Sequence, residues 1–119
     1  MPQDENSKRF DLEDRTFDFA KACRAFVKKL PKTIANVEDA RQAVRASGSV
    51  GANYIEANEA LSKKDFLLRI KISRKEAKES RYWLRLLEAS ENLGAERDDL
   101  VREAQELMNI FGAIVRKCE

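Results

Sequence analysis

Between Ser62 and Ser90 the chain contains neither proline nor glycine, and Phe66, Ile70, Ser73, Ala77, Ser80, Leu84 and Leu87 recur at alternating spacings of four and three. That is an unbroken heptad seam, the pattern that keeps one stripe of a helix turned toward partner helices. A helix over this stretch would run roughly 40 Å at about 1.5 Å per residue. It cannot shield its own apolar stripe, so the rest of the chain must supply helices of similar length. Ser62 followed three residues later by Asp65 predicts a capping-box start, with the shorter Asp in place of Glu or Gln. Asn92 and Gly94 predict the stop.

The preceding segments obey the same rhythm. Phe19, Cys23, Phe26 and Leu30 form the seam of a first helix from about Thr16 to Leu30, ended by Pro31. A second helix is expected from Asn36, capped by Asn36 with Asp39, to about Ala60, with Ala40, Val44, Ser47, Gly51, Tyr54/Ile55 and Asn58 as its seam. Its middle, Ala46-Ser47-Gly48-Ser49-Val50-Gly51-Ala52, invites two readings. Each glycine costs a helix about 1 kcal/mol relative to alanine, so the segment could be a loop between two shorter helices. Alternatively, small side chains admit a neighbouring helix at close range, and the rhythm on both sides favours this second reading. A last helix is expected from about Glu96 to Lys117, with Leu100, Ala104, Leu107, Phe111, Ile114 and Cys118 as its seam. Asp98 and Asp99 in its first turn and Arg116 and Lys117 in its last suit the helix dipole.

Four heptad-patterned helices with short connections predict an all-α, antiparallel up-down-up-down four-helix bundle. The 119 residues suit one such domain, with a flexible polar tail over about residues 1–14. No run of eighteen apolar residues and no signal-peptide core occurs, so the expectation is a soluble cytoplasmic protein with no membrane partner. Cys23 and Cys118 show neither metal-ligand spacing nor a disulfide framework and read as buried or half-buried thiols.

A second apolar set lies off the seams: Leu67, Leu68, Ile72, Trp83 and Leu86 on the long helix, and Val101, Met108 and Val115 on the last. A wide core face would absorb it. Self-association is the stronger reading, because Trp and Leu left in water would form a sizeable patch. Leu68, Ile72, Trp83 and Leu86 are its candidate residues.

The chain has no histidine. That removes the usual general base, the Ser-His and Cys-His nucleophile pairs, and the Glu-x-x-His di-metal sites that bundles build. Of the Glu-x-x-Glu pairs, Glu56/Glu59 and Glu103/Glu106 read as solvated. Glu76 and Glu79 flank the seam, paired with Arg45 or Arg41 of the second helix or across a subunit boundary. No enzyme is expected, and no catalytic residue, metal site or cofactor is assigned.

The formal charge is only +2, from 23 basic and 21 acidic residues, but it is unevenly placed. From Ser62 to Glu88 nine basic residues face four acidic ones, whereas Glu96 to Glu106 holds five acidic and two basic. Alternating signs could simply attract neighbouring helices. The sharper reading is a basic surface, formed by Lys63, Lys64, Lys71, Arg74, Lys75, Lys78, Arg81 and Arg85, that binds phosphate backbones without reading sequence. Tyr82, beside Arg81 and Arg85, is the best candidate for stacking on a base.

Three segments carry a family resemblance: Gly51 to Ala57 (GANYIEA), Ser62 to Phe66 (SKKDF) and Lys75 to Leu87 (KEAKESRYWLRLL). They resemble the four-helix-bundle family encoded in intervening sequences of bacterial large-subunit ribosomal RNA genes, across about Phe17 to Cys118. The resemblance implies a bundle that assembles as a homopentamer and brings no catalytic residues. The chain is also distantly similar to the accessory proteins of diversity-generating retroelements, which are basic pentameric barrels that bind nucleic acid and a reverse transcriptase. Two functional readings follow: an oligomeric bundle that associates with RNA or DNA through the long helix, or a homo-oligomeric scaffold that holds a protein partner.

Overall fold

The structure, a computed structural model, describes the backbone of residues 4–119 and the side chains from Leu12 onward. Four helices follow one another: α1 (Asp4–Val27), α2 (Ile34–Asn58), α3 (Lys63–Leu86) and α4 (Gly94–Cys118), with a short 3-10 turn, Glu91–Leu93, ahead of α4. Each packs on its neighbours in chain order and α4 closes back on α1, which gives the up-down-up-down bundle that the heptads predict.

The α3 seam is as expected. Ile70, Ser73, Ala77, Ser80, Leu84 and Leu87 are buried and Phe66 is half-buried. The Ser62 hydroxyl caps the helix by accepting from the Asp65 amide at 3.0 Å. The stop is different. Helix α3 ends at Leu86, well before Asn92, and Gly94 has helical φ/ψ (−63°, −40°) and opens α4. Leu87, extended at ψ 136°, turns the chain instead and keeps its side chain in the core.

Helix α1 begins at Asp4, not near Thr16, so the expected polar tail is helical over its described part; residues 1–3 lie outside the described residues. The physical reason is that the seam of Phe19, Cys23, Phe26 and Leu30 continues backward through Thr16 and Leu12 at the same four-three spacing. Thr16 is 1% exposed, its hydroxyl donating to the Glu13 carbonyl at 2.9 Å, so a polar residue occupies a seat that reads as apolar only in the fold. At the other end α1 stops at Val27, and Leu30 is buried from the turn beyond it.

The glycine-containing middle of α2 is helical throughout. A Cβ on Gly51 would sit 2.8 Å from Thr16 Oγ1 and 3.1 Å from Thr16 Cβ, so α1 lies directly against the α2 backbone here. On the opposite flank, Ser73 of α3 donates its hydroxyl to the Val50 carbonyl of α2 at 3.0 Å, which also requires close helices. The seam itself is shifted. Ala43, Ala46, Ser47, Val50, Gly51, Tyr54 and Ala57 are buried, whereas Ala40, Val44 and Asn58 are only half-buried and Ile55 is exposed. Among so many small residues, side-chain hydrophobicity marks no face, and contact with α1 and α3 decides the register. Gly51→Ala is expected to destabilise by about 1–3 kcal/mol through overpacking, despite the better helix propensity of alanine. Thermal melting checks this, and Thr16→Ala should restore much of the loss in the double variant.

The start of α2 also differs from expectation. Thr33, not Asn36, is the N-cap, accepting from the Asn36 amide at 3.1 Å. The Asn36 side chain is freed for another use. It is 2% exposed, donates Nδ2 to the carbonyls of Pro31 and Glu88, both at 2.9 Å, and accepts from the Glu88 amide at 2.8 Å. One amide thus ties the α1–α2 connection to the α3–α4 connection at a single end of the bundle.

In the α4 seam Leu100, Ala104, Leu107 and Phe111 are buried; Ile114 and Cys118 are half-buried because Gly112 and Val115 take over the inner face near the end. The Phe111 ring meets Tyr54 at 5.9 Å between centroids, joining α4 to α2 across the core. Each fully buried Leu, Ile or Phe contributes about 1.5–3 kcal/mol.

Both thiols are free, Cys23 buried and Cys118 half-buried. Burial pushes the Cys23 thiol up to about 12 from 9.0, against the weaker opposing influences of the Ser47 hydroxyl and the Arg24 charge. A raised pKa means that the folded chain holds this proton longer than the unfolded chain. Its contribution to stability is therefore complete below pH 9.0 and is lost as the pH rises toward about 12. A thiol reagent at pH 8 should modify Cys118 readily and Cys23 only on unfolding. Equal labelling rates in the native protein would contradict this packing.

Candidate functional site

Helix α3 presents two different surfaces on its two flanks. At 100° per residue, Lys63, Lys64, Lys71, Arg74, Lys75, Lys78, Arg81 and Arg85 fall within an arc of about 120°. Lys71, Arg74, Lys78, Arg81 and Arg85 keep four-three spacing among themselves, so they form a straight stripe parallel to the core seam. The stripe borders α4: Arg81 donates to the Gln105 side chain, Lys71 Nζ is 3.5 Å from the Glu119 carboxylate, and the Arg74 side chain reaches the α4 backbone at Gly112. All eight residues are exposed except Arg81, which is half-buried.

The decisive question is whether α4 neutralises this stripe, as alternating helix charges would suggest. It does so only at Lys71, through Glu119 at the helix end. Glu103 and Glu106 of α4 turn the other way and are held by Arg15 of α1, Glu96 is held by Lys29 of the turn after α1, and Asp99 pairs with Arg102 of its own helix. Arg15 forms a two-pronged bond to Glu103, at 2.6 and 2.9 Å, and a further one to Glu106 at 2.7 Å, and Lys29 reaches Glu96 at 2.9 Å. The Glu103 hydrogen bond is the main cause of a raised Arg15 pKa, which keeps this guanidinium charged. Glu103 and Glu106 are therefore not the free solvated pair that the sequence suggests; they are clasped by a residue expected in the N-terminal region before the first helix. Glu56 and Glu59 are exposed.

Among the described residues, Lys63, Lys64, Arg74, Lys78, Arg81 and Arg85 have no carboxylate within ion-pair distance. Lys75 is shared with Glu79 at 4.0 Å. The two mid-helix carboxylates of α3 face α2. Glu76 is 8% exposed with Arg45 Nη1 at 3.6 Å, and Glu79 meets Arg45 at 3.2 Å. Arg45 is one of the two partners expected. One Glu76 oxygen, Oε1, has no hydrogen-bond partner among the described residues.

The apolar residues singled out for self-association line the other flank, toward α2. Leu68 and Leu86 are 55% and 46% exposed; Ile72 and Trp83 are half-buried. Trp83 packs against the core and meets the Tyr82 ring edge-on at 5.0 Å, while Tyr82 itself is 55% exposed where the two surfaces meet. Part of the second apolar set is therefore a wide core face: Leu67, Val101 and Met108 lean on the core and Val115 is buried. Leu68, Tyr82 and Leu86 remain in solvent.

A concavity of about 610 Å³ runs along the α1–α4 seam between Asp14, Arg15, Asp18, Asp99 and Glu103. Four carboxylates against one guanidinium line it, which does not suit an anion. Among the described residues no three His, Cys, Asp or Glu side chains cluster as metal ligands, and no helix is long and apolar enough to cross a membrane.

No curated protein matches this sequence. The fold is similar to the crystal structure of a protein with unknown function from the S23 ribosomal protein family of Bacteroides thetaiotaomicron. The TM-score is 0.76 at 29% identity, over 87% of this chain and 96% of that one. Residues 8–113 match the family described as 23S rRNA-intervening sequence protein. With nearly the whole bundle inside that match, the chain belongs to the 23S rRNA-intervening sequence protein family.

Proposed function

We propose that this protein is a non-enzymatic, self-associating bundle that binds the phosphate backbone of RNA or DNA through the basic stripe of α3. The observation that carries this reading is the disposal of the α4 carboxylates. Glu103 and Glu106 are taken by Arg15 of α1 and Glu96 by Lys29 of the turn after it, so the α3 stripe lacks counter-charge on the face it shares with α4, except for Glu119 beside Lys71. Phosphates would supply that charge. With no glycine-rich phosphate loop and few exposed aromatics, contact would be to the backbone and not to bases. Tyr82, exposed beside the stripe, would stack on a neighbouring base.

The test is anisotropy of labelled single- and double-stranded RNA and DNA over a salt series, with light scattering on the same preparation. The expected result is sequence-indifferent binding whose log K falls linearly with log salt, with a slope of about −3.6 to −5.4 for four to six phosphate contacts on a duplex. Light scattering should give a multiple of the 13.7 kDa chain. Absence of binding at low salt would sink the nucleic-acid reading, and a single-chain mass would sink self-association.

The exposure of Leu68, Tyr82 and Leu86 favours a second reading, a homo-oligomeric scaffold for a protein partner with no nucleic-acid role. Co-purification of one defined protein without salt-sensitive nucleic acid would select it.

A further inference from the structure

Where α3 approaches the last turns of α4, two arginines converge on a glycine. A Cβ on Gly112 would lie 3.4 Å from Nη1 of Arg116 and 3.9 Å from both Nη1 and Cδ of Arg74. Two guanidinium groups from different helices thus lean over one bare stretch of α4 backbone. Like charges set side by side repel, yet among the described residues neither arginine has a carboxylate or hydrogen-bond partner. Lys71, one turn before Arg74 on the stripe, holds Glu119, the last residue after α4, at 3.5 Å. A tetrahedral phosphoryl group complements this arrangement, because each guanidinium presents planar paired donors that fit two phosphate oxygens. Without a side chain at position 112 both guanidinium groups come down onto the α4 backbone, close enough together to grip one anion between them.

We infer that Arg74 and Arg116, over Gly112, form a seat for one phosphoryl anion. As a phosphodiester site, this rests on the nucleic-acid reading above and names where on the stripe one backbone phosphate is gripped. As a seat for phosphate itself it stands apart from that reading.

The experiment has two arms. In the first, the full chain is titrated with inorganic phosphate at constant ionic strength balanced by chloride, while the arginine Nε–Hε resonances and the Gly112 amide are followed by NMR. The Arg74, Arg116 and Gly112 signals should move along one saturable curve while Arg85 stays still. Gly112→Leu fills the seat without changing charge and should abolish the response. Should that variant lose its helical circular dichroism, Arg116→Gln is compared with Lys117→Gln, which removes the same charge one residue along. Arg116→Gln should weaken phosphate binding about tenfold, as for a lost charge-assisted bond, and Lys117→Gln should leave it nearly unchanged.

In the second arm the same variants are tested with labelled RNA and DNA. Parallel loss of phosphate and nucleic-acid binding in Arg116→Gln supports a phosphodiester seat. A specific phosphate response in a protein that binds no nucleic acid supports a seat for the free anion and overturns only the nucleic-acid reading. Absence of a selective phosphate response, or equal effects of Arg116→Gln and Lys117→Gln, overturns the seat whether or not nucleic acid binds.

Discussion

Reversing Lys71, Arg74 and Lys78 together, each to Glu, should cut nucleic-acid affinity by on the order of 10³-fold at 50 mM salt, the counterion-release contribution of three phosphate contacts. The salt dependence should change with it: the slope of log K against log salt becomes shallower by about 3 on a duplex and by about 2 on a single strand. The three side chains are exposed and none belongs to the core, so the melting temperature should stay close to that of the parent. The control is a triple reversal of Lys21, Lys28 and Lys32, exposed residues of α1 and the turn after it, which changes net charge by the same amount. A local stripe predicts a large loss in the first variant and a small one in the second. Equal losses would mean that only net charge matters.

Asn36→Ala should be the most damaging single polar substitution in the bundle. The side chain makes three bonds of 2.8–2.9 Å to backbone groups of two separate connections while 2% exposed. Alanine would leave the Pro31 and Glu88 carbonyls and the Glu88 amide without these partners in a buried site, at about 1 kcal/mol or more for each. The expected cost is roughly 3 kcal/mol or more, on the order of 10 °C in melting temperature. Asn36→Asp keeps the acceptor and loses both donations, so it should fall between. A loss under about 1 kcal/mol for the alanine variant would show that the two connections are held by packing alone.

How much of this could be read from the sequence depends on whether side-chain chemistry or helix packing decides the matter. The α3 seam from Ile70 to Leu87 was legible because Ile70, Leu84 and Leu87 set its phase, and the charged residues between them leave Ser73, Ala77 and Ser80 at the remaining seam positions. The seam of α2 was not: in Ala43 to Ala57 small residues lie on several faces, and the closeness of Thr16 and Ser73 selects which are buried. Thr16 hid the start of α1 for a related reason, since a hydroxyl satisfied by its own helix can sit in a core seat. The signal was present in Leu12, seven residues before Phe19, and following it would have brought Arg15 onto the same helix. The charge asymmetry of α3 and α4 was visible in composition, but not the flank to which each sign turns. The role of Asn36 had no local signature, because its partner Glu88 is distant in sequence.

Polar cross-links along the α3–α4 seam are spread unevenly. Toward the α3–α4 connection, Arg81 bonds Gln105 and Arg97 donates to the Leu87 carbonyl; toward the other end, among the described residues, the seam has the single exposed pair of Lys71 and Glu119. Thermal breathing should therefore begin at that far end, like a zip opening from its untied side. An anion gripped there would act as a removable rivet, stiffening the two helices only while bound. Occupancy by the ligand would then be felt as slower opening of the whole bundle, without any change in its resting shape.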